Sequence, residues 1–462
     1  MRFKTTLRPL AALALAAAIT SCGDLDVENP NAPDRERALA DPAAIDAVAG
    51  GAMRTWLNAY TSLRGAGVLA TQARSYSSSW NNGNLNFYSS VDNPSAPPEQ
   101  WNRMSRGWTN DPSAAGRTTI DAFWGGGLDE GTNQRGGFYN SLSAANDALQ
   151  AIRGENPVVF PNETASKRAE AFAMFMQGAS LSMLSLLYDK AYVVDENTDL
   201  STPAAVAALQ YSTRDIVRDS AVSKLEQAAT LAGATAFTTP DAWTGSGGFT
   251  YSNTQIAQMA NTLAAMTLAW YPRDSTELDE VDWARVAQFA SKGMSAGTPV
   301  NLRFEQDGYT FWISELMNWF DGIDGGRMHT RMAHLMDPTT QRDPWPEAGN
   351  PRPNSPDERL GDGSFGNADT EASFGTPVAT SAAGTDYAWT TIGAVFRPDR
   401  GSYHQSNIAQ IRYDESRVMD GDGQYAGNGP APAINATVND LIWAEALIRI
   451  GGAANLAQAA TL

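Results

Sequence analysis

Cysteine and histidine are scarce in this sequence, which excludes several kinds of site. The chain has 462 residues but only one cysteine, Cys22, and three histidines, His329, His334 and His404. A single cysteine has no partner for an internal disulfide. No His-Glu-x-x-His motif occurs, and His329 and His334 are five residues apart, which is out of phase for one helix face. The sequence therefore excludes a disulfide framework and predicts no metal site at the histidines.

Positive charge is also in short supply. The chain has 33 Lys and Arg residues against 51 Asp and Glu residues, a net charge of −18. A chain with this balance repels nucleic-acid backbones and anionic lipid surfaces. We therefore exclude nucleic acid as a partner. Hydrophobic residues make up 42% of the chain, which is enough for a large core in two or three domains or in one large helical body.

The apolar run at the N-terminus is too short to cross a membrane as a helix. Three cations, Arg2, Lys4 and Arg8, precede an apolar run over residues 10–19, and this order is typical of a secretory signal. The run is about ten residues long, whereas a membrane-spanning helix needs roughly twenty. We predict a signal peptide over residues 1–21.

The single cysteine lies directly after this signal. The sequence Ile19-Thr20-Ser21-Cys22 resembles a bacterial lipobox, in which a small residue precedes the cysteine that carries lipid. Acyl chains such as palmitate anchor a protein by burying methylenes, at about 0.8 kcal/mol each. We predict lipidation of Cys22, which leaves no thiol for catalysis, and an acidic tether over 22–40. The alternative is a longer signal that is cleaved nearby.

Hydrophobic periodicity predicts a mainly helical body over residues 41–462. The predicted helices cover 43–63, 138–152, 163–188, 213–231, 252–271, 281–294, 439–450 and 453–462. The helix over 163–188 is apolar on nearly all sides, which predicts burial among other helices, and its small residues around Gly178 permit close approach. Residues predicted to face inward from the helix over 213–231 are Ile216, Val217, Val222, Leu225 and Ala228.

The helices recur in pairs, and two long irregular stretches interrupt them. The pairing loosely resembles tetratricopeptide repeats, with a generic helical body as the alternative. The insertions lie at about 74–135 and 297–433 and are rich in Gly, Pro, Asn and aromatic residues. Loops of this length are usually functional or disordered, and the aromatic residues argue against disorder. Minor strands are predicted over 392–396 and 407–413.

Four stretches carry a family resemblance when they are taken in chain order. They are Cys22-Gly23-Asp24-Leu25-Asp26, Tyr139-Asn140-Ser141-Leu142-Ser143-Ala144-Ala145-Asn146, the helix from Ala169 that runs into Asp189-Lys190-Ala191-Tyr192-Val193-Val194, and Leu441-Ile442-Trp443-Ala444-Glu445-Ala446-Leu447-Ile448-Arg449-Ile450-Gly451. This ordered set resembles the SusD/RagB family of nutrient-binding outer-membrane lipoproteins. Two departures are that Asp189-Lys190 stands where the family has Gly-Asp, and that the chain ends at Leu462 inside the family's last repeat, which resembles a C-terminal truncation.

The resemblance implies a tetratricopeptide-like scaffold of helix pairs with long insertions and minor β structure. It implies an outer-membrane lipoprotein that faces the exterior and is held to the membrane by its lipid. The implied partner is a SusC-like TonB-dependent transporter, to which the protein delivers a glycan or, in some members, a peptide. No catalysis is implied.

Sugar binding needs flat aromatic faces beside polar groups that match hydroxyls. Such residues lie in the two insertions, where the resemblance places the ligand face. The predicted ligand-binding residues are Arg74, Tyr76, Trp80, Asn81, Trp101, Trp312, Trp319 and Asp321. For each aromatic residue the alternative role is to pack an insertion onto the scaffold.

Three alternatives stay open at the level of sequence. A lipid-anchored glycoside hydrolase of helical fold would need two carboxylates about 5–10 Å apart, and 51 acidic residues leave room for such a pair. A structural surface protein would bury its aromatic residues. No cofactor is predicted, and a calcium site at Asp420-Gly421-Asp422-Gly423, or at Asp321 and Asp324, is a further alternative.

Overall fold

The described part of the chain contains twelve α-helices and nine strands, of which all but β4 and β9 are two or three residues long. This computed structural model describes residues 40–61, 66–78, 137–245, 248–297, 300–307, 326–343, 350–357, 359–360, 386–389, 406–410, 417–419 and 425–462. The helices are α1 (Pro42–Tyr60), α2 (Val68–Gln72), α3 (Phe138–Arg153), α4 (Glu163–Leu187), α5 (Pro203–Ala207), α6 (Arg214–Ala234), α7 (Asn253–Trp270), α8 (Ser275–Asp279), α9 (Trp283–Ala290), α10 (Thr330–Met336), α11 (Ala436–Ile450) and α12 (Ala453–Ala459). The strands are β1 (Tyr76–Ser78), β2 (Lys190–Ala191), β3 (Ser212–Thr213), β4 (Leu302–Asp307), β5 (Gly326–Met328), β6 (Tyr387–Trp389), β7 (Ile408–Gln410), β8 (Arg417–Met419) and β9 (Tyr425–Ile434).

The central helix is α4. Every residue from Ala169 to Ser182 is buried, and the helix packs against α1, α3, α6 and α7. The Asn162 side chain caps its first turn by accepting a hydrogen bond from the Ala165 N–H at 2.8 Å. Among the described residues α4 alone is long and apolar enough to cross a membrane, and most of its apolar stretch is buried inside the body. The prediction of a helix enclosed by other helices is confirmed.

Close approach between α4 and α6 depends on a glycine. A Cβ atom built on Gly178 would lie 2.6 Å from Leu225 Cγ and 2.9 Å from the Leu225 backbone nitrogen. Side chains larger than hydrogen therefore do not fit unless α6 moves. Next to Gly178 in the chain, the Ala179 carbonyl accepts a hydrogen bond from the Trp56 indole N–H of α1 at 3.1 Å. The predicted role of the small residues around Gly178 is confirmed.

The other long helices continue the stack. Helix α1 packs on α3, α3 on α4, α4 on α6, α6 on α7, α7 on α9 and α9 on α11. Asp41 caps α1 as its place before Pro42 predicts, because its carboxylate accepts from the Ala43 N–H at 3.0 Å. The mainly α architecture predicted from the sequence is confirmed, although α9 ends at Ala290 where the pattern predicted Met294.

One inward prediction for α6 is wrong. Val217, Val222, Leu225 and Ala228 are buried, but Ile216 is 50% exposed. Successive helical residues point about 100° apart, so Val217 occupies the inward direction in the first turn and Ile216 is turned toward solvent.

A three-stranded antiparallel sheet lies beside α11, in the order β4-β9-β8. Its inner side chains, which include Leu302, Phe304 and Ala431, join the main hydrophobic core. The sequence analysis treated this range as irregular, and the long strand β9 was missed because Gly429, Pro430 and neighbouring residues are typical of loops. The alternation of Leu302 and Phe304 with polar residues in β4 is a signal that would have found that strand.

A buried side chain links the last helix pair to the end of α9 and the residues after it. The Asn439 amide, at the start of α11, donates to the carbonyl of Ala290 at 2.8 Å and to that of Met294 at 2.7 Å. Among the described elements, α11 is the one with which helix α12 makes extensive contacts. None of the α12 side chains is buried. Attachment of the pair to the body therefore depends on α11.

Candidate functional site

Two of the predicted ligand-binding residues, Arg74 and Tyr76, lie in the described part of the chain. Both are half-buried; Arg74 lies two residues before β1, and Tyr76 is its first residue. The remaining predicted positions lie outside the described residues: Cys22, Trp80, Asn81, Trp101, Trp312, Trp319 and Asp321.

Arg74 turns the chain from α2 into β1. Its φ of 57° lies in the left-handed region, which few residues other than glycine adopt. The turn is closed by backbone hydrogen bonds from the Arg74 N–H to the Thr71 carbonyl at 3.0 Å and from the Ser75 N–H to the Ala70 carbonyl at 2.9 Å. The local fold therefore fixes the direction in which Tyr76 and the rest of β1 leave the helix.

Strand β1 pairs with a strand from the second predicted insertion. Tyr76 is opposite Met328, Ser77 is opposite Arg327 and Ser78 is opposite Gly326 in the antiparallel ladder with β5. Because the pairing is antiparallel, the chain leaves β1 and enters β5 at the same end of the ladder. The positions at which residues 79–136 begin and residues 308–325 end are thus side by side.

Strand β5 is anchored on its other side by β7. The Ser406 N–H donates to the Met328 carbonyl at 3.0 Å, and Met328, Ala333 and Ile408 form a small hydrophobic cluster. Strand β7 confirms part of the strand predicted over 407–413, whereas the one predicted over 392–396 lies outside the described residues. Arg327 in β5 is fully buried. The sequence did not predict this burial, because the Gly- and Asp-rich residues before Arg327 are typical of an exposed loop.

Two of the histidines have structural roles around α10. His329 is fully buried and caps the helix, since its Nδ1 accepts from the Arg331 N–H at 2.9 Å. His334 Nδ1 lies 2.8 Å from the Gln341 carbonyl oxygen. No group of three potential metal ligands occurs among the described residues. His404 and the candidate calcium residues Asp321, Asp324, Asp420 and Asp422 lie outside them.

Asp337 organises the loop after α10. It accepts hydrogen bonds from the Thr339 hydroxyl at 2.5 Å, from the Thr340 hydroxyl, and from the Asn354 N–H at 2.7 Å. The Thr339 and Thr340 hydroxyls, with the Asn354 N–H, hold the pKa of Asp337 far below its ordinary value. This carboxylate therefore stays ionised and serves to fold the loop.

Two of the family-like motifs contact each other. The Tyr139 hydroxyl, in α3, accepts from the Tyr192 N–H at 2.6 Å and lies 3.4 Å from the Tyr192 carbonyl oxygen. The Asn146 amide donates to the Val194 carbonyl at 3.3 Å, and its oxygen accepts from Gln177 at 2.7 Å. The segment after α4 is therefore held against α3 by Tyr139 and Asn146, two side chains of the family-like stretch over residues 139–146.

Two carboxylates that share Arg153 as a partner, Glu170 and Glu196, bear on the hydrolase alternative. Glu170 accepts from Arg153 and Lys167, both at 2.9 Å, and Glu196 accepts from Arg153 and Gln177, both at 2.8 Å. Burial alone would raise the pKa of each carboxyl, but hydrogen bonds from these donors lower it overall. A glycosidase general acid needs a raised pKa. This pair therefore has the electrostatics of an ion-pair network that joins α3 and α4 to the following segment.

Comparisons with known proteins were made on the whole chain. No family model matches it, and no curated protein matches it. Solved structures do match. The chain is similar in structure to SusD-superfamily proteins.

Three of these SusD-like structures illustrate the likeness. A SusD homolog from Bacteroides thetaiotaomicron has a TM-score of 0.49 and 12% identity, covering 91% of this chain and 76% of its own. A SusD superfamily protein from Bacteroides vulgatus has a TM-score of 0.48 and 13% identity, covering 91% and 78%. A SusD-like carbohydrate-binding protein from Bacteroides fragilis has a TM-score of 0.40 and 14% identity, covering 68% and 60%. The chain thus spans 60% of the length of the last of these.

Proposed function

We propose that this protein is a lipid-anchored outer-membrane protein of the SusD/RagB type that captures a glycan and delivers it to a SusC-like TonB-dependent transporter. The observation that carries the proposal is the contact between motifs far apart in the chain. Tyr139 bonds to the backbone of Tyr192, and Asn146 bonds to Val194. Two of the four stretches that resemble the family in sequence are therefore joined in space.

The anchor rests on the N-terminal sequence. Cys22 is the sole cysteine, and it follows a signal-like run within a lipobox-like tetrapeptide. Lipid on this residue would hold an acidic body at a membrane by burying methylenes rather than by charge. The test is to grow cells with radiolabelled palmitate. We expect the natural chain to incorporate the label and the Cys22→Ser variant to lose it. Equal labelling of the variant would contradict it.

The ligand face rests on the two insertions. The ladder between β1 and β5 brings together the chain positions that lead to residues 79–136 and from residues 308–325. These two ranges contain Trp80, Trp101, Trp312 and Trp319 together with Asn81 and Asp321. Aromatic rings beside amides and carboxylates suit the alternating apolar and hydroxylated faces of a sugar. A glycan is therefore favoured over a peptide.

The test is calorimetric titration of the full chain, purified in a polyoxyethylene detergent that carries no sugar, against panels of oligosaccharides and peptides. Product release is assayed in the same samples. We expect saturable binding of a glycan without product. Trp80→Ala and Trp319→Ala should weaken it, because an aromatic ring that stacks on a sugar face is lost. Trp270→Ala should not weaken it, since this tryptophan lies on α7, outside the insertions, and is 48% exposed.

Three outcomes contradict the proposal in different ways. Release of product would favour the hydrolase. Binding of peptides alone would make the protein a peptide-binding relative. Binding that Trp80→Ala and Trp319→Ala leave unchanged would move the ligand face away from the insertions. The delivery step is tested separately, by asking whether the protein and a TonB-dependent barrel co-purify from outer membranes of the source cells.

A further inference from the structure

A cleft at the start of β4 has features of a second binding site. It lies between the loop over residues 248–251, the start of α7 and the first residues of β4. Its volume is about 620 Å³, within the range of about 300–1,000 Å³ that is usual for small-molecule sites. It contains none of the ligand-binding residues predicted from the sequence.

The wall of the cleft is held rigidly by Tyr251. The Tyr251 hydroxyl accepts from the Arg303 N–H at 2.9 Å and lies 3.0 Å from the carbonyl oxygens of Asn301 and Arg303. The backbone of Tyr251 is itself fixed by Thr239, through one hydrogen bond to the Thr239 hydroxyl and one from the Thr239 N–H, both 2.8 Å. The main chain that carries Arg303 is therefore pinned.

The side chain of Arg303 is held over an aromatic ring. Its Cζ lies 3.6 Å from the centre of the Phe249 ring, a cation–π contact that orients the planar guanidinium. Arg303 is exposed, because Leu302 and Phe304 occupy the inward positions of β4. A preoriented guanidinium can bind a carboxylate through two parallel hydrogen bonds.

No carboxylate of the described residues forms an ion pair with Arg303, although the chain has an excess of 18 negative charges. Glu305 lies two residues away on the same face of β4, and no ion pair joins the two side chains. By contrast, Arg153, Arg168, Arg214, Arg273 and Arg359 each contact a carboxylate. The cleft thus presents a cation that no carboxylate in the described ranges pairs with.

Polar groups beside Arg303 suit a hydroxylated ligand. The Gln255 side chain lines the cleft, and its Oε1 accepts from the Ser252 N–H at 2.8 Å in a capping box. Of the described residues, none accepts a hydrogen bond from its amide nitrogen. An amide donor, an aromatic ring and a guanidinium together match a sugar that carries a carboxylate.

We propose that this cleft binds the carboxylate of a uronic acid unit, so that the protein recognises acidic oligosaccharides. The inference rests on the proposed glycan-capture function and names the ligand class. The guanidinium of Arg303 donates to the carboxylate, the Gln255 amide donates to a ring hydroxyl, and Phe249 keeps the guanidinium in place.

The test uses a matched pair of ligands and the full chain in the same sugar-free detergent. The ligands are trigalacturonate and its trimethyl ester, which has a similar shape but no charge. We expect Arg303→Gln to weaken trigalacturonate binding by about tenfold or more, since hydrogen bonds between charged groups are the strong ones. Arg303→Lys should retain part of the affinity. Raising the salt concentration should weaken binding of the acid but not of the ester.

Controls separate a local effect from a general one. Arg285→Gln removes a half-buried arginine that lies over a phenylalanine ring, Phe289, at 5.5 Å, and that also forms a long ion pair with Glu226 at 3.9 Å. Trigalacturonate binding should be unchanged in this variant. Phe249→Leu removes the ring but leaves the charge, and an intermediate loss is expected. Thermal unfolding of each variant checks that the loss does not come from misfolding.

The outcomes distinguish this proposal from the capture function. If neutral oligosaccharides bind but trigalacturonate does not, or if Arg303→Gln binds it as well as the natural chain, the cleft proposal is overturned and glycan capture stands. If trigalacturonate binds through Arg303 and is cleaved, the cleft proposal stands and the capture function fails. Tighter Arg303-dependent binding of triglutamate than of trigalacturonate would overturn the saccharide assignment, and binding of acetate as strong as that of the trimer would reduce the cleft to a simple anion site.

Discussion

The contact between α4 and α6 makes a sharp prediction about Gly178. In an exposed helix interior, replacing glycine by alanine stabilises a protein by about 1 kcal/mol, because alanine loses less conformational freedom. At Gly178 the added methyl group would lie 2.6 Å from Leu225 Cγ and 2.9 Å from the Leu225 nitrogen. The second atom belongs to the backbone, so a rotamer change in Leu225 cannot relieve the overlap.

The magnitude follows from two opposing effects. Overpacking of a well-filled core costs about 1–3 kcal/mol, and the gain in helix propensity offsets about 1 kcal/mol of it. We therefore expect Gly178→Ala to lower the unfolding free energy by up to about 2 kcal/mol. Gly51→Ala, within α1, is the matched control, because nothing lies within 4 Å of the added methyl group. The control should be as stable as the natural chain or more stable.

The assay is urea denaturation followed by circular dichroism, with midpoints and slopes compared across the variants. The two variants should differ by the cost of overpacking, about 1–3 kcal/mol. Leu225→Ala in the Gly178→Ala background should cost less than the sum of the single changes, because the smaller side chain removes part of the clash. A Gly178→Ala variant as stable as Gly51→Ala would refute the close approach of the two helices.

Three further predictions concern single side chains. Asn439→Ala removes the donor for two buried carbonyls at the end of α9, and we expect urea denaturation to show a loss of about 1–3 kcal/mol. Asn162→Ala removes the cap of α4 and should cost about 1 kcal/mol, most of which Asn162→Asp should restore. Burial raises the pKa of Glu196, but Gln177 and Lys224 are among the groups that lower it overall. The ionised Glu196 therefore stabilises the fold at a pH above its unfolded pKa of about 4.3, and this contribution is lost as the pH falls through its lower folded pKa. In an acid titration of the unfolding midpoint, Glu196→Gln should lose less stability below about pH 4.3 than the natural chain does.

These predictions have internal controls. Glu445→Gln changes an exposed carboxylate paired with Arg449 on α11, and it should alter the acid titration little, because surface pairs contribute less than about 1 kcal/mol. An acid titration of Glu196→Gln that matches the natural chain would contradict the role of the network. An Asn439→Ala variant of unchanged stability would mean that water replaces both donors.

The helices were readable from the sequence because the information that specifies them is local. Apolar spacing placed α1, α3, α4, α6 and α7 within a few residues of their observed bounds. Capping residues such as Asp41, and glycines such as Gly178, indicated an end or a close approach by their chemistry alone. The order of the family-like motifs likewise required no coordinates.

The sites depended on contacts between distant residues, which periodicity does not specify. Strand β9 forms despite its glycines and prolines because β4 and β8 supply partners on either side. The exposure of Ile216 was decided by the packing of α6 on α4. The meeting of β1 with β5, and the placing of Arg303 over Phe249, each join residues from different insertions or loops. The sequence by itself determined which segments are helical and which chemistry is available, and only the tertiary structure decided which side chains face one another, since that depends on how the helices and strands pack.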